Sequence, residues 1–198
     1  MIVTTLLWPA IARTETVIAV LGDSLTAGYG LPADQAFPVQ LQRELKSKGL
    51  AVKVINAGVS GDTTAGGRAR LDWVLGDKPG IVILELGAND ALRGIDPAET
   101  EANLDAMLTK LKARGIRVLL AGMLAPPNLG TDYRARFDSL YARLAAKHDV
   151  PLYPFFLEGV AAKPELNLPD GLHPTGTGVA IIVRGILPSV RKLMESAP

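Results

Sequence analysis

Short runs of β-branched and aliphatic residues recur along the chain, each followed by a longer segment whose apolar residues fall three and four apart. This alternation constrains the fold more than any other feature of the sequence. Strands separated by long connections pair in parallel, and a parallel sheet buries both its faces beneath helices. Thr16–Leu21, Val52–Asn56, Ile81–Leu86 and Arg117–Ala121 read as strands, with a weaker one near Pro151–Tyr153. The third run is apolar at almost every position, as a doubly covered central strand requires.

The segments between carry helix punctuation. Asp96 stands at a cap position, Pro97 at the first helical residue, Glu99 where a capping box would place it, and Gly115 past the end; Leu104, Met107, Leu108 and Leu111 make the core face. Pro38 and Gly49 bracket a helix with Phe37, Leu41 and Leu45 four apart. A helix over residues 132–147 presents Tyr133, Phe137, Leu140, Tyr141 and Leu144. The last begins at Thr175 and carries Val179, Ile182, Val183 and Ile186, and Pro188 is expected to bend or break it. The pattern predicts an α/β fold, a three-layer α/β/α sandwich around a central parallel sheet in the flavodoxin-like strand order 2-1-3-4-5.

A chain of 198 residues with 48 % hydrophobic content suits one domain with a sizeable core. With 21 Lys and Arg against 20 Asp and Glu, the net charge of +1 supplies no field that would gather nucleic acid or an anionic membrane. The absence of cysteine and the presence of only two histidines exclude a thiolate nucleophile and a His-rich metal cluster. Chemistry here is therefore expected to need neither metal nor cofactor. Residues 1–14 differ from the rest: Ile2–Ala12 is an apolar stretch of signal-peptide length ending in the small-x-small triplet Ala10-Ile11-Ala12, although no Lys or Arg precedes it. It is expected to be a partial export signal of a periplasmic or secreted protein, or else an ordered extension of a cytoplasmic one. It is too short to span a bilayer, so no stable membrane insertion is expected.

In open α/β sheets ligands bind at the carboxyl ends of the strands. Four unusual motifs fall at such places: Gly22-Asp23-Ser24-Leu25-Thr26 after the first strand, Asn56-Ala57-Gly58-Val59-Ser60-Gly61-Asp62 after the second, Gly87-Ala88-Asn89-Asp90 after the third, and Asp170-Gly171-Leu172-His173-Pro174 before the final helix. Acyl transfer by serine needs a base, a carboxylate that fixes the base's tautomer, and donors aimed at the developing oxyanion. Ser24 is the candidate nucleophile, His173 the base and Asp170 its orienting carboxylate, since a three-residue spacing across Gly171 places both on one short loop. The Ser24 amide, helped by a helix dipole, the Gly58 amide, open to close approach, and the Asn89 side chain are the candidate oxyanion donors.

Each residue also has a plainer reading. Asp23 and Ser24 suit a helix cap, Asn89-Asp90 an Asx turn, and Asp90 is expected to be structural. Ser60 lacks nucleophile-elbow spacing and is assigned to a turn, and His148 reads as a helix-end residue. Tyr153, Phe155 and Phe156 are expected in the core or a pocket wall, and residues 125–130 line the acyl site or form a rigid loop.

The blocks GDSLTAGYGL, NAGVSGDTTAGG, LGAND and DGLHP, in this order and spacing, resemble the GDSL or SGNH hydrolases. Within that family the likeness is greatest to the bacterial multifunctional thioesterase I, lysophospholipase and arylesterase group, and it runs from about Val17 to Gly178. The resemblance implies a hydrolase domain over residues 15–198, with Ser24, Asp170 and His173 as triad and Ser24, Gly58 and Asn89 as oxyanion hole. It implies a small-molecule acyl ester or thioester substrate of short to medium chain length, in keeping with the small residues Ala88, Ala91 and Gly94. A carbohydrate O-deacetylase on the same triad ranks below it, because the chain has two Trp, one of them in the N-terminal segment. A non-catalytic flavodoxin-like module ranks lower still, since a receiver site would want an acidic pair where Asp23-Ser24 stands.

Overall fold

The computed structural model describes residues 15–196. The five strands are β1 (Thr16–Gly22), β2 (Val52–Gly58), β3 (Ile81–Glu85), β4 (Arg117–Ala121) and β5 (Leu152–Tyr153). They form one sheet in the order β2-β1-β3-β4-β5, with every pairing parallel, as the sequence predicts. All five residues of β3 are buried. The helices are α1 (Ser24–Ala27), α2 (Phe37–Ser47), α3 (Thr64–Ala69), α4 (Leu71–Leu75), α5 (Ala88–Leu92), α6 (Pro97–Ala113), α7 (Thr131–His148) and α8 (Gly176–Glu195).

Sheet order sets which helix covers which face. The chain moves from β1 outward to β2, then reverses to β3, β4 and β5, so right-handed crossovers send α2 to one face and α6 and α7 to the other. Accordingly α2 packs on α8, and α6 packs on α7. The faces predicted from periodicity are the buried ones: Phe37, Leu41 and Leu45 on α2, Leu104, Met107, Leu108 and Leu111 on α6, and Phe137, Leu140, Tyr141 and Leu144 on α7. Phe37 meets Phe156 edge-on at 5.0 Å between ring centroids, so Phe156 belongs to the core. His148 bonds Asp105 of α6 through Nε2 at 2.6 Å and ties α7 to its neighbour, a structural role in keeping with its place at a helix end.

Pro188 does not break α8, which continues to Glu195. Both Pro188 and Arg184, whose carbonyl the proline leaves without its helical donor, are exposed, which sets the missing hydrogen bond on the solvent side of the helix. Ile186, Leu187, Val190 and Leu193 remain buried on the other side and hold the helix to the protein. Burial on one face outweighs one lost hydrogen bond on the opposite face.

The peptide after β3 is held by a close fit. Gly87 adopts φ +124°, and a Cβ there would fall on the Tyr141 hydroxyl, which donates to the Leu86 carbonyl at 2.9 Å. We expect Gly87→Ala to lose about 3 kcal/mol of stability, from left-handed strain and overpacking together, as read by urea unfolding. Adding Tyr141→Phe to that variant should restore part of the loss.

Candidate active site

Three parallel strand ends build the nucleophile. Gly22 pairs with Gly58 on one side and with Glu85 on the other, and α1 starts immediately beyond this row. A Cβ on Gly58 would lie 2.5 Å from the Ala27 amide and 2.7 Å from Thr26 Oγ1, so the glycine makes room for α1. Asp23 caps α1, its Oδ1 accepting from the Leu25 N–H at 3.0 Å. The helix ends after one turn at Gly28, which adopts φ +89°. Four residues generate little macrodipole, so the helix-dipole contribution expected at Ser24 is small.

The base arrives from the opposite end of the chain. His173 Nε2 lies 2.9 Å from Ser24 Oγ, across 149 positions of sequence, and His173 Nδ1 lies 2.7 Å from Asp170 Oδ2. Asp170 Oδ1 also accepts the Leu172 and His173 N–H groups at 2.9 and 3.0 Å, so one side chain folds the loop and orients the base. The loop is closed on itself by Leu168 N–H to the His173 carbonyl at 2.7 Å and Thr175 N–H to the Leu166 carbonyl at 2.8 Å. Thr175 then caps α8 through the Gly178 N–H. The His173 and Leu172 amides and the imidazole hold the Asp170 carboxyl down at about 2. With that acceptor on Nδ1, the Nδ1–H tautomer is fixed and Nε2 is left free to take the serine proton.

The two outer donors differ in placement. Asn89, in α5, lines the same cavity as Ser24 and His173. Gly58 does not: its amide donates to Asn56 Oδ1 at 3.0 Å and its Cα faces α1. This commitment is not legible in the sequence, because it depends on the Asn56 side chain turning back on its own strand. Gly61, three residues on, has its carbonyl held by Arg93 of the α5 terminus at 2.8 Å, and its amide has no protein acceptor among the described residues. Ser60 lies exposed in the turn before it. Asp90 is buried and accepts from Thr64 Oγ1, the Thr64 N–H and Thr100 Oγ1, a structural role as expected. Two contacts lay beyond sequence reasoning: the Tyr29 ring lies 4.4 Å from the His173 ring, and Asp23 Oδ2 accepts from Asn89 Nδ2 at 3.1 Å.

A cavity of about 310 Å³ opens from Ser24, Asn89 and His173, with Met123, Leu124, Phe155 and Leu157 among its walls. Ala125, Pro126 and Pro127 also line it, and so does Ala88, whereas Ala91 is buried beneath it. The residues present are a nucleophile, a base with a fixed tautomer, neutral donors and an apolar recess.

Such a site on a doubly covered parallel sheet defines a serine hydrolase of the carboxylester class. The chain belongs to the GDSL-like lipase/acylhydrolase family, whose model matches residues 20–181. It is 40 % identical to esterase TesA of Pseudomonas aeruginosa over 92 % of this chain and 91 % of that protein. It is 42 % identical to thioesterase 1/protease 1/lysophospholipase L1 of Escherichia coli, over 82 % of this chain and 77 % of that one. The crystal structure of the psychrotrophic esterase EstA from Pseudoalteromonas, inhibited by monoethylphosphonate, superposes with a TM-score of 0.87 at 32 % identity, covering 92 % of this chain and 100 % of the other.

Asp170 yields a prediction about pH. Its folded value lies below the ordinary 3.8, so the ionised carboxylate favours the folded loop above about pH 4, and that contribution is lost as pH falls toward 2. A carboxyl ¹³C titration should place its midpoint near 2. Asp170→Asn should lower kcat by about 10⁴-fold at neutral pH, because the amide no longer enforces the Nδ1–H tautomer.

Proposed function

We propose that the protein hydrolyses carboxylic esters and thioesters of short to medium acyl chains through an acyl-enzyme on Ser24, with His173 and Asp170 completing the triad. The observation that carries this reading is the unbroken relay Ser24 Oγ, His173 Nε2, His173 Nδ1, Asp170 Oδ2 at the mouth of an apolar cavity. Ser24 Oγ attacks the acyl carbon as its proton passes to Nε2, and Nε2–H then protonates the departing alkoxide or thiolate. Water, deprotonated by the same nitrogen, attacks the acyl-enzyme and releases the acid. The oxyanion is met by the Ser24 amide and the Asn89 side-chain amide. Gly61 suits the third donor better than Gly58, whose amide is already committed to Asn56.

The wall of Met123, Leu124, Phe155 and Leu157 fits an alkyl chain better than a sugar, which favours acyl esters over acetylated carbohydrate. The thioesterase and lysophospholipase names of the Escherichia coli relative support thioesters and acyl glycerophospholipids as further substrates. The apolar Ile2–Ala12 segment, which lies outside the described residues, supports a periplasmic or secreted location.

A fluorophosphonate should label one serine per chain, and Ser24→Ala should lose both the label and about 10⁶-fold in kcat while remaining folded. Retention of the label by that variant would refute the assignment. Across p-nitrophenyl esters of rising length, kcat/KM should peak at short to medium chains. Asn89→Ala should lower kcat by about 100 to 1,000-fold with KM little changed.

A further inference from the structure

Asp23 has no exposed surface and no part in the relay, yet it touches the oxyanion machinery. Its two carboxylate oxygens are used separately: Oδ1 holds the Leu25 amide at 3.0 Å and Oδ2 holds Asn89 Nδ2 at 3.1 Å. Below it lies Glu85, also fully buried, whose Oε2 accepts from the Asp23 amide at 3.4 Å and whose Oε1 has no partner among the described residues. An asparagine amide is nearly symmetric in shape, and a half-turn about its last bond exchanges a donor for an acceptor. A carboxylate accepts only, so an ionised Asp23 can face nothing but the nitrogen.

We propose that Asp23 is a positioning residue for ester hydrolysis: its buried carboxylate selects the Asn89 orientation that offers N–H, rather than C=O, to the oxyanion. With one Nδ2 hydrogen bonded to Asp23, the other is left for the cavity that Asn89 and Ser24 share. The inference rests on Asn89 being an oxyanion donor, as proposed above.

The charge on Asp23 is maintained against burial. Burial pushes its carboxyl up to about 6, opposed by the Leu25 amide, Asn89 and the His173 imidazole, while Asp62 pushes it further up. Burial and the Asp23 charge together drive Glu85 well above the carboxylate range. The other ionisable groups around them are Arg70, which bonds Asp62 and the Gly22 carbonyl, Asp90, and Tyr141. Because the folded value of Asp23 exceeds the unfolded 3.8, its ionisation disfavours the folded state as pH rises through about 6.

Asp23→Asn separates a positioning role from a capping role. Asparagine caps a helix as well as aspartate and has the same shape, so a purely structural Asp23 predicts near-normal activity. If Asp23 positions Asn89, the new NH2 confronts Asn89 Nδ2, Asn89 turns over, and its carbonyl oxygen replaces the donor. The expected fall in kcat is about 100 to 1,000-fold, that of a lost oxyanion donor, with KM little moved and the melting temperature at pH 7 no lower than wild type. Asp23→Ala, which leaves Asn89 free to donate, should lose less kcat than Asp23→Asn. In an Asn89→Ala background Asp23→Asn should cost little more. A kcat for Asp23→Asn within about 3-fold of wild type, with Asn89→Ala strongly impaired, overturns the proposal and leaves the Asn89 assignment standing. So does a melting temperature that drops in step with activity. A near-normal kcat for Asn89→Ala removes the assignment of Asn89 and the proposal with it.

Discussion

The row Gly58–Gly22–Glu85, set by the register of three parallel strands, is the constraint on which the site depends. The two glycines lack the Cβ atoms that would otherwise strike Thr26 and Ala27, so a single helical turn can seat on the strand ends. That seat buries Asp23 and leaves Ser24 at the surface of the cavity. Arg70 fixes the same edge from outside, bonding the Gly22 carbonyl at 2.9 Å, the Ala57 carbonyl at 2.6 Å and the Asp62 carboxylate at 2.6 Å. A side chain at either glycine would strike α1, the turn that carries the nucleophile.

The base is supplied independently of that edge. Residues 166–175 form a loop closed by its own hydrogen bonds and anchored at the start of α8, with Asp170 both its internal anchor and the partner of the imidazole. Catalytic geometry therefore depends on how two parts of the chain meet, each held by hydrogen bonds of its own. The exposed Tyr29 ring, set on the turn after α1, packs on His173 where the two meet.

Much of this was legible in the sequence because it rests on period and punctuation. The apolar run of β3, the cap Asp96, the start of α8 near Thr175 and the four-residue spacings of α2 and α7 follow from local rules, and the parallel sheet follows from the α/β pattern. Asp170 and His173 were readable because their pairing is local in sequence. What was not legible depended on tertiary choices. Pro188 is tolerated because its face of α8 is wet, which no window of sequence states. Gly58 reads as a candidate donor because glycines near a site permit close approach, but the body it admits is α1 and its amide goes to Asn56. The Asp23–Asn89 contact spans 66 positions and joins two residues that each had an adequate local explanation as cap or turn.

The central claim is that acyl transfer proceeds through an ester of Ser24. It is tested most directly by mixing the protein with excess p-nitrophenyl acyl ester, following p-nitrophenol release on the millisecond scale, and quenching for peptide mass spectrometry. Where deacylation is the slower step, the account predicts a burst approaching one p-nitrophenol per chain and an acyl mass on the peptide containing Ser24. A full burst with the acyl group on another residue, Ser60 included, would contradict it.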